Sequence, residues 1–137
     1  MTGKTLYIHE RIARPARAVY DFLAEPDNFP KWASGLGESF QHMADHDWRV
    51  NTPMGPMTVR FSPKNDYGIV DHWVIPADGP PMYNPMRVID LGDACDVVFT
   101  LLQRPGMTDA EFDRDADWVR KDLRTLKEIL ESEAGRT

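Results

Sequence analysis

His72 is the residue of this 137-residue chain with the strongest case for doing chemistry. It sits between Val70 and Val74 in an alternating stretch, so it shares a strand face with apolar neighbours. An imidazole with an ordinary pKa of ~6.5 can pass a proton at neutral pH or hydrogen-bond a carbonyl. The competing role for a histidine on an apolar face is structural, bonded to a neighbour in the core. Asn84, expected on the adjoining strand, is the second polar group that could orient a bound molecule. Other constellations are weaker. Arg60, Asp71 and Arg87 could form an anion site, but their shared parity on successive strands suits an outward cross-strand charge ladder, each pair worth roughly 0.2–1 kcal/mol. His42 and His46 are four positions apart outside any expected helix and have no third ligand in view, so no metal site is expected. Cys95 stands beside a tight turn with no base near it, which argues against a nucleophile. The chain has no phosphate loop, dinucleotide glycine fingerprint or H-E-x-x-H motif, and no cofactor is expected.

Around His72 and Asn84 the candidate ligand contacts are apolar. Met57, Val59, Val74, Met86 and Phe99 fall on the same face as His72, and Val119 and Leu123 lie on a helix expected to pack against it. Met54, Met57, Met82 and Met86 cluster in the strand region; methionine adapts to irregular space, in a pliable pocket or in a core. Trp32, Phe40 and Trp48 could rim a pocket mouth.

These residues need elements to hold them. The clearest is a long helix from Thr108 to about Glu133. Thr108 and Glu111 form a T-x-x-E capping box, and Met107 and Phe112 a hydrophobic staple. Phe112, Ala116, Val119, Leu123, Leu126 and Leu130 recur at steps of four and three and make one narrow apolar stripe. Before it, Thr5–Ala13 reads as a strand in which Glu10 falls oddly on the apolar parity, at the strand end or on a bulge. Two short helices follow, one after Pro15 and one after Asp27 with Phe29 and Trp32 inward, then a Ser34–Gly37 loop. Strands are expected at Glu38–Met43, Trp48–Thr52, Pro56–Ser62, Gly68–Ile75, Met82–Leu91 and Ala94–Arg104. Short connections make them an antiparallel meander. A turn centred on Gly79 would set Asp71 opposite Arg87, His72 opposite Met86 and Val74 opposite Asn84. A turn at Gly92-Asp93 would set Val88 opposite Val97 and Met86 opposite Phe99.

Composition limits the partners. Lysine and arginine number 16 against 22 acidic residues, a net charge of -6, which argues against nucleic acid and anionic membranes. No run approaches the ~20 apolar residues of a membrane span. No signal-peptide apolar region follows the first residues, and a single cysteine suits a reducing cytoplasm. On the long helix, Trp118 and Ile129 sit on one flank away from the stripe. They require cover from the loop after the second short helix or from another chain, and a homodimer is the expectation favoured.

Together these elements predict one α+β domain over residues 1–137: a curved antiparallel sheet of about seven strands wrapped around the terminal helix. The opening strand, then Ile12-Ala13-Arg14-Pro15-Ala16-Arg17-Ala18-Val19-Tyr20 and Pro26-Asp27-Asn28-Phe29-Pro30-Lys31-Trp32, resembles the start of START-like, or SRPBCC, helix-grip proteins. Pro105–Asp109 and Asp122–Lys127 resemble their close. Asn65–Gly68, Asp71-His72 and Tyr83–Val88 are similar to small bacterial polyketide cyclase-like members. The resemblance implies a cavity for an apolar or amphipathic small molecule between sheet and helix. It also admits a cyclase- or dehydratase-type enzyme, with His72 as base and Asn84 orienting the substrate, or an Hsp90-activator-like protein-binding module.

Overall fold

The structure is a computed structural model and describes residues 3–34, 39–53 and 55–134. In chain order the elements are β1 (Thr5–Ile12), α1 (Ala16–Ala24), a 3-10 turn (Pro26–Asn28), α2 (Phe29–Trp32), β2 (Phe40–Ala44), β3 (Asp47–Thr52), β4 (Gly55–Phe61), β5 (His72–Pro76), β6 (Met82–Asn84), β7 (Met86–Asp90), β8 (Cys95–Leu102) and α3 (Asp109–Ala134). This is the expected α+β arrangement of two short early helices, antiparallel strands and one long terminal helix. The strands form two sheets, ordered β1-β8-β7 and β2-β3-β4-β5-β6.

Among the described residues there are eight named strands rather than about seven, because the expected strand Met82–Leu91 breaks at Pro85. Proline brings no N–H to the ladder. The N–H that follows it, on Met86, donates to the Asp71 carboxylate at 2.9 Å instead of to a backbone carbonyl. On either side of the break the backbone stays tied: Thr100 donates to the Pro85 carbonyl at 2.9 Å and Val88 to that of Gly68 at 2.8 Å. Gly68 has φ of 71°, and a Cβ there would collide with the Val88 carbonyl oxygen, so only glycine fits this approach.

The hairpin registers are half as expected. Val88 faces Val97 and Met86 faces Phe99. Across the Gly79 hairpin, however, His72 faces Asn84 and Val74 faces Met82, two residues from the expected pairing. The register that forms sets Asp71 opposite Pro85, where a carboxylate can replace the missing ladder. A shift of two keeps every side chain on its face. His72, Val74, Asn84, Met86, Val97 and Phe99 therefore still point the same way, and all are buried. Strand β1 pairs regularly with β8 throughout, so no bulge turns Glu10 out. It stays on the inner parity, half-buried in a surface groove with Arg120 and Arg124.

Helix α3 begins at its capping box. Thr108 N–H donates to Glu111 Oε1 at 3.0 Å, and Glu111 N–H to Thr108 Oγ1 at 3.1 Å. Thr108→Ala is expected to cost about 0.5–2 kcal/mol, read as a lower urea midpoint; an unchanged midpoint would show that the cap contributes nothing. Five of the six stripe residues, Phe112, Ala116, Leu123, Leu126 and Leu130, are buried, and Val119 is half-buried. The helix lies along β1 and is tied to it at both ends. Lys4 pairs with Asp109 at 3.2 Å at one end, and Ala13 N–H donates to Glu131 Oε2 at 2.9 Å at the other. Its close neighbours are β1, β8 and α2, while it stands off from β4, β5 and β6. That separation positions the site. Among the described residues, no helix is long and apolar enough to cross a membrane.

Candidate functional site

The one-turn helix α2 carries the hub of an aromatic cluster. The Phe29 ring stands edge-on to Trp32 (5.4 Å between centroids), Phe61 (5.2 Å) and His72 (5.1 Å). Between this cluster, the inner faces of β4, β5, β6 and β8, and one flank of α3 lies a cavity of about 360 Å³. Met57, Val74, Met82, Phe99 and Leu101 line it from the strands, Phe29 and Trp32 from α2, and Trp118 and Val119 from α3. Its polar wall groups include His72, Asn84, Arg104, Asp115, Ser34 and Asp122.

Of the residues singled out by sequence, Trp32, Met57, His72, Val74, Asn84, Phe99 and Val119 meet on this wall. Five stand elsewhere. Val59, Met86 and Leu123 are sealed in the core, with 0–1% of their surface exposed. Phe40 and Trp48 stack on each other at 4.8 Å on β2 and β3, so they back the aromatic cluster from the sheet edge instead of rimming a mouth. Met54 lies outside the described residues.

His72 is 5% exposed. Burial lowers its pKa to about 4, with neighbouring Asp71 pulling weakly the other way, so the ring is neutral at pH 7. Its neighbours are rings, Phe29, Phe61 and Phe99, and neither nitrogen has a hydrogen-bond partner among the described residues. No side-chain polar atom sealed from solvent lacks a partner there, so the unpaired nitrogens open onto the cavity. Asn84, directly across the ladder, accepts a 3.3 Å hydrogen bond from Arg104. Arg104 also approaches Asp115 Oδ2 at 3.7 Å; its burial lowers its pKa.

Two turns further along α3, Asp122 accepts from Ser34 N–H at 3.2 Å and from Ser34 Oγ at 2.6 Å. Burial raises the Asp122 pKa, and the two Ser34 bonds oppose that shift. Trp118 donates its indole N–H to the Ser34 carbonyl at 3.1 Å and stays 47% exposed, while Ile129 packs against the core. The segment after α2 thus meets Trp118 within the same chain. Helical spacing held a signal for this flank: Asp115, Trp118 and Asp122 recur at steps of three and four beside the apolar stripe. Arg104, beyond the end of β8, follows no such pattern.

The charged residues on the outer face depart from the expected ladder. Arg60 pairs instead with Asp47, at 2.7 and 3.0 Å. Asp71 does meet Arg87, but as a buried carboxylate, 6% exposed, that also accepts from Met86 N–H and from Tyr83 Oη at 2.8 Å. Cys95 is fully buried and its thiol pKa is pushed up by burial. Among the described residues, no group of three or more His, Cys, Asp or Glu side chains could hold a metal.

This architecture is the START-like helix-grip fold. A START superfamily protein from Mycobacterium smegmatis matches with a TM-score of 0.76, at 10% identity, over 95% of this chain and 99% of that one. An uncharacterised protein from Bacillus thuringiensis matches at 0.73, with 13% identity, over 93% and 98%. The di-domain ARO/CYC BexL from the BE-7585A biosynthetic pathway matches at 0.69, with 18% identity, over 91% of this chain and 45% of its own. Compared by sequence, the chain matches no family model and no curated protein. At these identities the likeness is one of fold, and the ligand has to be argued from the wall.

Proposed function

We propose that this chain binds an apolar or amphipathic small molecule between its sheet and α3. The observation that carries the reading is the pairing of a largely apolar cavity with a buried, neutral histidine whose nitrogens face into it. Pockets of roughly 300–1,000 Å³ with apolar walls and a few fixed polar groups are the common form of small-molecule sites. Asn84 beside His72 also fits the cyclase- or dehydratase-type reading. An imidazole that stays neutral down to about pH 4 is a poor base, however, and hydrogen bonding to a ligand oxygen is the role it suits. Trp118 is read as cavity wall rather than as a dimer contact, and the lone buried Cys95 suits a reducing cytoplasm.

The test uses the neutral fluorescent probe N-phenyl-1-naphthylamine. It should bind at one site, and Val119→Trp, which fills the cavity from α3, should weaken binding at least about tenfold with circular dichroism unchanged. A wild-type protein that does not bind the probe, or a Val119→Trp variant that binds it equally well, sinks the reading.

A further inference from the structure

The polar groups at the Arg104 end of the cavity are mostly donors. Arg104 has five N–H groups in a fixed fork. Among the described residues they meet one 3.3 Å bond to Asn84 Oδ1 and a 3.7 Å approach to Asp115, longer than a hydrogen bond. The Arg104 side chain is 24% exposed, and a guanidinium taken out of water with so few acceptors is costly. Asp115, 44% exposed, is free to turn to solvent if a better acceptor arrives.

The neighbouring groups point to the same chemistry. Arg104 can only donate, so Asn84 must turn its carbonyl oxygen toward it, which leaves the Asn84 amide N–H₂ for something else. Asn84 is 7% exposed, and its Nδ2 has no partner among the described residues, so it too opens onto the cavity. Neutral His72, across the ladder, adds one N–H donor. Three donors therefore border an apolar chamber. The second carboxylate of the wall, Asp122, already takes two bonds from Ser34 and does not call for a cation.

We propose that the molecule received here is an amphipathic monoanion, whose carboxylate sits against Arg104, Asn84 and His72 while its apolar body fills the space between β5, β8 and α3. This rests on the reading that the cavity binds a small molecule. Charge-assisted, forked hydrogen bonds to guanidinium are the strong ones, and an acid should outcompete its isosteric alcohol. A cationic head would face Arg104 directly.

Two matched pairs test this by displacement of N-phenyl-1-naphthylamine: decanoate against decan-1-ol, and 2-naphthoate against 2-naphthalenemethanol. In at least one pair the acid should displace the probe at a concentration at least about tenfold lower than the alcohol. Arg104→Gln should remove that preference, and Arg104→Lys should keep part of it. If acid and alcohol are equal in both pairs while the probe still binds, the carboxylate inference is wrong and the cavity reading stands. An Arg104→Gln variant that keeps the acid preference overturns the carboxylate inference in the same way. If wild-type protein does not bind the probe, both fail together.

Discussion

Replacing Asp71 by alanine is expected to cost about 2–4 kcal/mol, the largest effect of any single polar substitution considered in this chain. The carboxylate is 6% exposed and accepts from the Met86 N–H, the Tyr83 hydroxyl and the Arg87 guanidinium. Arg87 is 42% exposed on its side chain, so water can solvate it after the loss and the ion pair itself is worth little. Most of the cost comes from the Met86 N–H, buried next to Pro85 and stripped of its acceptor. Two comparisons follow. Asp71→Asn keeps an oxygen facing Met86 and should cost clearly less than alanine. Arg87→Ala should cost less than half of what Asp71→Ala does. Urea unfolding reads all three, and equal losses for the Asp71→Ala and Arg87→Ala variants would mean that the ion pair, not the mended ladder, holds this joint.

Acidification should weaken the fold from about pH 6.5 downward. The buried His72 ring takes its proton only at about 4, whereas the unfolded chain takes it at the ordinary ~6.5. The unfolded state thus binds the proton first as pH falls. The stability of the neutral ring is intact above about 6.5, is lost progressively down to about 4, and changes no further once both states are protonated. The full interval corresponds to about 3 kcal/mol, of which about 2 kcal/mol falls between pH 6.5 and 5. Asp47, Asp96, Asp109, Glu111 and Glu131 are held below their ordinary values by hydrogen bonds and cations, so their losses begin only in the lower part of that range. Asp122, raised by burial, works in the opposite sense. His72→Phe, which keeps a ring among Phe29, Phe61 and Phe99, should flatten the slope between pH 6.5 and 5. A variant that retains the wild-type slope would assign it to some other group.

The parts of the molecule that follow a single repeat could be read from sequence. The α3 stripe and its cap are periodic and local, and both formed. The faces of β5, β7 and β8 also came through, because a register error of two residues moves no side chain to the other face. Asp71 shows where such reading stops. Its parity places it outward, and nothing local says that Pro85 would stand opposite and draw its carboxylate into the sheet. Trp118 is legible only in part. Its flank calls for cover, and Ser34 of the loop after α2 meets it, but a helical projection does not show that the same flank borders a cavity. Arg104 closes the strand expected over Ala94–Arg104, but β8 stops at Leu102, and only the closing of the chain brings Arg104 beside Asn84.

Strand β1 is the first element, and what it touches is made last. β8 pairs along its whole length and α3 lies over it, with Ala13 bonded to Glu131 across 118 positions and Lys4 to Gln103 across 99. Closing loops of that size costs entropy before any contact repays it, so folding should take milliseconds to seconds rather than microseconds. On the ribosome, which adds roughly 5–20 residues per second, the strands are complete before α3 exists. During that interval Ile8 and Ile12 of β1 and Val97 of β8 have no helix to cover them. The nascent chain ending near Pro105 is therefore the form in which this protein is most exposed to aggregation and most dependent on chaperones.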